Sequence, residues 1–241
     1  MDTVLPLLWT VSRKVILSRV STSSSDAEIE ERRPRGRPPL PLDRIIATAT
    51  RILDEEGADA LSMRNLAQRL DSGTATLYRH FTGRAHLVAE VIDGVLAEAH
   101  VDDETLRGMP WSQACEVLAH SLFDVFRRHP NVAPLLVEQI PIGPNAMAQR
   151  EQTIALLLES GFEPALAAQA CATMARFVLG FATQLSAPSS TADGDAVWQT
   201  LDPHTFPATV SVADHLPVPL EQEFAFGLEL IINGLSQLAR R

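Results

Sequence analysis

The chain has 241 residues, 46% of them hydrophobic but only 5% aromatic, and a formal net charge of −10. That length suits a small domain joined to a medium one. So much aliphatic side chain excludes wholesale disorder, and the acidic total excludes a protein that coats nucleic acid along its whole length. The charge is uneven: residues 31–90 carry ten Arg against eight Asp/Glu, a net of +2, while residues 91–241 carry seven Arg against eighteen Asp/Glu, a net of −11. Phosphate would be attracted by the short cationic part and repelled by the rest.

In the first twenty residues the longest uncharged run, Thr3 to Ser12, is ten residues, against the roughly 20 a membrane span needs. Asp2 comes first and Arg13, Lys14 and Arg19 follow, whereas a secretory leader puts its cations first. A cytoplasmic protein with no membrane partner is expected. The segment itself reads as a weak amphipathic helix, an unstructured tail, or sequence upstream of a misplaced start. Ser21–Glu31 has no apolar period and reads as linker. Arg32–Pro39 is basic and proline-locked, so it is not helical. Within it, Arg35-Gly36-Arg37-Pro38 matches an AT-hook core, an extended strand that lays both Arg side chains along a narrow A·T-rich minor groove; a solvated basic linker is the other reading. Residues 1–40 are thus expected to be an extension ending in a basic arm.

From Pro41 the pattern turns helical. Ile45, Ile46, Ala49, Ile52 and Leu53 share one helix face, with Asp43 as N-cap and Gly57 as stop. Ser62 caps a short helix with Met63, Leu66, Ala67 and Leu70 inward. Asp71-Ser72-Gly73 breaks it, and a third helix, Thr74–Phe81, holds Leu77 and Phe81 four apart. After Thr82-Gly83 a longer helix carries Leu87, Val88, Val91, Ile92, Val95 and Leu96 on one stripe. Further helices are predicted from Pro110 to Arg128, Asn131 to Gln139, Asn145 to Ser160 with Gly161 as stop, Glu163 to Ala187, and Leu220 to Arg240. Residues 188–219 read as loop with one short helix. The fold class is all-α: residues 41–90 as a DNA-binding domain and 91–241 as a helical effector-binding and dimerisation domain.

Two short helices a few residues apart form a helix-turn-helix, whose second member enters the major groove. Small or polar Gly73, Thr74, Ala75 and Thr76 let the backbone approach base edges, and Thr offers both a hydroxyl and a methyl. Tyr78, Arg79 and His80 follow on the same helix; Tyr78 and His80 also read as partly buried structural residues.

The stretch Ile45–Ile92 resembles the DNA-binding domain of the TetR family of one-component regulators. Leu61-Ser62-Met63-Arg64-Asn65-Leu66-Ala67-Gln68-Arg69-Leu70, then Thr76-Leu77-Tyr78-Arg79-His80-Phe81, then Arg84 and Leu87 carry the resemblance. It implies phosphate contacts by Tyr78, His80 and Arg84, base proximity for Thr74 and Thr76, and a base or phosphate contact by Arg64. The family's usual turn is Gly-Val-Ser; here it is Asp71-Ser72-Gly73, which loses an apolar contact and adds a negative charge. The expected DNA contacts are Arg35, Arg37, Arg44, Ser62, Arg64, Gly73, Thr74, Ala75, Thr76, Tyr78, Arg79, His80 and Arg84.

Phe224–Leu235 is apolar nearly all round, as is the segment from Met174 to Phe181, so each is buried on two sides. Two such helices from each of two subunits make a four-helix bundle, resembling the TetR-type C-terminal domain. Gly227 and Gly234, seven apart, share a face that permits close approach; a core helix in a monomer is the other reading. An effector pocket would draw on Trp111, His120, Phe123, Phe126, Gln139, Met147, Met174 and Phe177. The tetracycline-binding members use a His just after the helix that ends here near Arg128. Asn131–Leu136 has neither His nor carboxylate, so a metal–tetracycline complex is not the expected effector.

No Cys/His spacing suits a metal, Cys115 and Cys171 read as core residues, and no nucleophile elbow, phosphate loop or dinucleotide fingerprint occurs. No enzyme activity, cofactor or metal is expected. The sequence reads as a repressor that a small molecule releases from a palindromic operator, with a ligand-independent architectural DNA-binding protein as the alternative.

Overall fold

A computed structural model describes residues 40–138, 140–186 and 197–239. Arg35 and Arg37 of the basic arm, and Gln139, lie outside the described residues. Among the described residues, eleven α-helices with defined bounds follow in order: α1 Leu42–Glu56, α2 Met63–Arg69, α3 Thr74–Leu77, α4 Arg84–Ala97, α5 Asp103–Leu106, α6 Trp111–Arg128, α7 Ala133–Glu138, α8 Pro144–Glu159, α9 Pro164–Ala182, α10 Pro207–Val210 and α11 Leu220–Leu238. Single 3₁₀ turns lie at Ala58–Ala60 and Ala213–His215, and no strand occurs among the described residues.

The apolar period of α1 does what it predicts: Ile45, Ala49, Ile52 and Leu53 are fully buried. The start differs. Pro41, in extended backbone, occupies the cap position, and Asp43 sits in the first turn without capping. Its charge there favours the positive end of the helix dipole without accepting from an orphan N–H. Gly57 ends α1 at φ +83°, donating its N–H to the Leu53 carbonyl at 2.9 Å. Only glycine enters that region without steric cost.

Helix α4 packs on α1, α6 and α8, so the boundary expected near residue 90 falls inside one continuous helix. Gly94 makes the α1–α4 crossing tight, since a Cβ there would lie 2.9 Å from Ile46 Cγ2. One apolar core runs from Ile45 in α1 to Leu235 in α11. Helix α5 was not expected from the sequence; it buries only Leu106.

Helix α9 lies among α6, α7, α8 and α11. It is long and apolar enough to cross a membrane. Its inward face of Ala167, Ala170, Met174, Val178 and Ala182 is buried against those neighbours, which accounts for that stripe. Gly227 serves the α9–α11 contact: a Cβ there would lie 2.7 and 2.8 Å from two atoms of the Phe177 ring. Gly234 faces open space. Of the two glycines, only Gly227 is used for close approach inside the chain.

Candidate DNA-reading head and effector cavity

The reading head is built by local chemistry. Ser62 Oγ accepts from the Asn65 N–H at 3.1 Å and caps α2. The side-chain amide of Asn65 then donates to the Ala60 carbonyl at 3.1 Å, tying the α1–α2 turn to the cap. Leu66, Leu70, Leu77 and Phe81 are buried and set α3 against α2. Helix α3 is shorter than expected. Its α-helical part ends at Leu77, and tighter turns carry the chain to His80, whose N–H reaches the Leu77 carbonyl at 2.9 Å.

Gly73, Thr74 and Ala75 are exposed on the short helix; Thr76 and His80 are half-buried. Tyr78 is 58% exposed, and Arg79 beside it is exposed as well. Arg44 and Arg64, on α1 and α2, are exposed and form no ion pair among the described residues. Arg69 differs, being paired to Glu55 at 2.9 Å and to Glu56. Arg84 is half committed elsewhere: its Nε and Nη2 donate to the Leu61 and Ala58 carbonyls at 2.8 and 2.7 Å. It braces the turn before α2 from the start of α4.

The turn carries two local costs. Asp71 takes φ +49°, a left-handed conformation in which Asp is tolerated but Gly is at ease. Ser72 Oγ is buried without a hydrogen-bond partner among the described residues.

In the second half, a cavity of about 850 Å³ opens among α4, α6, α7, α8 and α9. Cys115, Leu118, Ala119, Leu122 and Phe126 line it from α6; Ala168, Cys171, Ala172, Met174 and Leu179 line it from α9. Helix α8 adds Ala146, Gln149, Arg150, Thr153 and Ile154. Burial pushes the Cys115 thiol up to about 12, and raises Cys171 as well, with the nearby Arg150 charge acting the other way. Both are thiols, not thiolates, at neutral pH.

Of the expected pocket residues, Phe126 and Met174 line this cavity. The large aromatics instead build the core beside it. Phe123 stacks on Phe224 at 4.2 Å, and Phe177 lies 5.4 Å from the same ring. His120 is exposed and stands edge-on to Phe224. Trp111 packs edge-on against Phe162 at 4.8 Å, and Met147 is exposed. Sequence reasoning missed the Ala and Cys positions whose small side chains leave the space, and the two arginines at its wall. Arg176, the one charged residue of α9, was the available signal; Arg150, beside Glu151, gave none.

Cavity and head are wired together through α4. Buried Asp93 accepts from the Asn145 and Ala146 N–H groups at 3.1 and 3.0 Å, and from Asn145 Nδ2 at 2.8 Å, holding the start of α8. Gln149 donates to the Leu96 carbonyl, and Gln152 to that of Val101 at 2.8 Å. At the end of α6, His129 Nδ1 lies 2.9 Å from Asp54 in α1, and Arg128 pairs with Glu98 at 2.5 Å. Asn131 donates to the Leu53 carbonyl at 2.9 Å. The α6 and α8 walls of the cavity are thus hydrogen-bonded to the reading head or to the helix that carries it.

A capped helix-turn-helix continuous with a hollow helical domain defines the class: a DNA-binding regulator with its own small-molecule compartment. The comparisons with known proteins agree. Residues 45–91 match the family model "Bacterial regulatory proteins, tetR family", and residues 106–239 match "Tetracyclin repressor-like, C-terminal domain". The HTH-type transcriptional repressor DrrR1 of Streptomyces coeruleorubidus is 31% identical over 86% of this chain and 82% of its own length. The tetracycline repressor protein class E of Escherichia coli is 27% identical over 82% of this chain and 91% of its own. Among solved structures, apo ActR of Streptomyces coelicolor superposes with a TM-score of 0.76 at 35% identity, covering 85% of this chain and 98% of ActR. ActR has also been solved in complex with actinorhodin. The chain belongs to the TetR family, and it is a DNA-binding transcriptional regulator.

Proposed function

We propose that the protein is a cytoplasmic, non-catalytic repressor that binds a palindromic operator as a homodimer and leaves it when a small molecule fills the cavity among α6, α8 and α9. The observation that carries this reading is the hydrogen-bonded link from the cavity walls through α4 to the reading head. A ligand that reshapes the walls acts on half-site spacing only if such a link exists, and only if it prefers the released state. The cavity also speaks against the ligand-independent architectural alternative.

In this reading residues 41–90 bind DNA and residues 91–241 bind effector and partner. Thr74, Ala75 and Thr76, with Gly73 allowing approach, face base edges. Tyr78, Arg79, His80, Arg44 and Arg64 meet phosphate, and Ser62 and Arg84 act by holding α2 and α3 in place. The arm with Arg35 and Arg37 adds minor-groove contacts. Phe226 and Leu230, 61% and 56% exposed on α11, together with Gly234 and the exposed Gln169, Thr173 and Gly180 of α9, form the dimer contact. Neither cofactor nor metal takes part.

Sedimentation with a selected operator duplex tests the proposal. Two protomers per duplex, bound together, are expected. One protomer per duplex at saturation would refute the dimeric reading.

A further inference from the structure

We infer that the cavity takes an amphipathic organic anion: an apolar body carrying one carboxylate or an equivalent acidic group held by Arg150 and Arg176. This rests on the reading of the cavity as the effector site.

Charge is distributed unevenly between the domain and its cavity. Residues 91–241 hold eighteen Asp/Glu and seven Arg, so a lining drawn at random would be acidic. Among the described residues lining the cavity there is no carboxylate, and there are two arginines. The domain surrounds a cationic compartment with an anionic exterior.

Neither guanidinium is spent on a carboxylate among the described residues. Arg150 Nη1 lies 2.8 Å from the Met147 sulfur, a weak acceptor, and Nη2 is 3.5 Å from the Pro141 carbonyl. Arg176, exposed at the cavity rim, has among the described residues only the Ala172 carbonyl of its own helix, at 3.4 Å. Neither forms an ion pair among the described residues, whereas Arg69, Arg127 and Arg128 each have a carboxylate partner. The charge of Arg150 is felt within the cavity, because it opposes the rise of the Cys171 thiol.

The remaining polar side chains of the lining are already in use. Gln149 is committed to the Leu96 carbonyl and Thr153 to the Gln149 carbonyl at 3.0 Å. A neutral polar ligand would find few free donors, and a cationic one would meet two like charges. The rest of the wall is apolar, and among the described residues Phe126 alone supplies an aromatic face. At about 850 Å³ the space is near the top of the roughly 300–1,000 Å³ range of small-molecule sites. Such a site is filled by a large apolar body and oriented by one charged contact.

The test uses two dyes of the same body, 8-anilinonaphthalene-1-sulfonate and the uncharged N-phenyl-1-naphthylamine, titrated by fluorescence into the full-length protein. The sulfonate is expected to bind at least about tenfold more tightly, as one charge-assisted contact at a partly exposed site allows, with the gap narrowing in high salt. Arg150→Gln/Arg176→Gln should erase the preference while leaving the neutral dye's affinity unchanged, which also shows that the cavity is intact. Ala119→Trp, which fills the cavity, should abolish both. Equal binding of the two dyes, or a preference surviving in either variant, would overturn the inference while leaving the cavity as a ligand site. Binding of neither dye would remove the cavity reading itself.

Discussion

Replacing Asp93 tests whether α4 really holds the cavity wall. Asp93 is 7% exposed, and its carboxylate receives two backbone N–H groups and one side-chain amide from the start of α8. Gly143 has no side chain to cap that helix, so Asp93 does so from a neighbouring element. Asp93→Ala leaves three donors without their acceptor. Each buried orphan costs about 1–3 kcal/mol, but Asn145 can turn its amide to water. A loss of about 3 kcal/mol is therefore expected, a large share of the roughly 5–15 kcal/mol that holds a domain together. Gly143→Ala attacks the same joint from the other side, because its methyl would fall on the Asp93 carboxylate; about 2 kcal/mol is expected from the forced shift. The two changes share one cause, so the double variant should cost about 2 kcal/mol less than the sum. Urea unfolding followed by circular dichroism reads all four corners of the cycle, and hydrogen exchange at the Asn145 and Ala146 amides localises the effect. An Asp93→Ala variant within about 0.5 kcal/mol of the parent, or a strictly additive double variant, would refute the reasoning.

Other expectations follow from the same geometry. Ser72→Ala removes a buried hydroxyl that has no hydrogen-bond partner among the described residues and should raise stability by about 1 kcal/mol; unchanged melting would count against a cost at that hydroxyl. Tyr78→Ala should weaken binding to all duplexes about tenfold, and Arg79→Ala should flatten the salt dependence by about 0.9 per protomer, while Thr74→Ala alters the selected sequence; titration at several salt concentrations checks the first two. Gly234→Leu should convert dimer to monomer on a sizing column by wedging the α11 face; a surviving dimer moves the interface elsewhere. With its thiol held up to about 12, Cys115 is ionised to only about one part in ten thousand at pH 8, so iodoacetamide should spare it in the native protein and label it in urea. Alkylation at the unfolded rate would show that the site is open to solvent.

The parts legible in the sequence were those that local rules determine. Ser62, the Leu66/Leu70 pair and the Leu77/Phe81 pair specify a helix-turn-helix over about twenty residues, and each contact is near in sequence. The error at Asp43 is of the same kind: a good cap residue lost the position to Pro41, whose fixed φ already directs the chain into the helix. The cavity was different. It depends on how α6, α8 and α9 cross, which no local pattern gives. Aromatic size suggested Phe123 and Phe177 as pocket walls, but large rings pack most tightly against one another, and these gather on Phe224. The hollow lies where small residues such as Ala119, Ala168 and Ala172 fail to fill the gap. Likewise the Asp93–Asn145 joint spans 52 positions and leaves no trace in either segment alone.

The central claim is that a dimer reads a two-fold operator. It is tested most directly by selecting bound duplexes from a random-sequence library with purified full-length protein. Enrichment of a palindrome whose half-sites lie about one helical turn or more apart is the predicted result, with the preference lost in Thr74→Ala/Tyr78→Ala. Enrichment of A·T-rich duplex without two-fold symmetry, unaffected by those changes, would contradict it and shift DNA binding to the arm around Arg35 and Arg37.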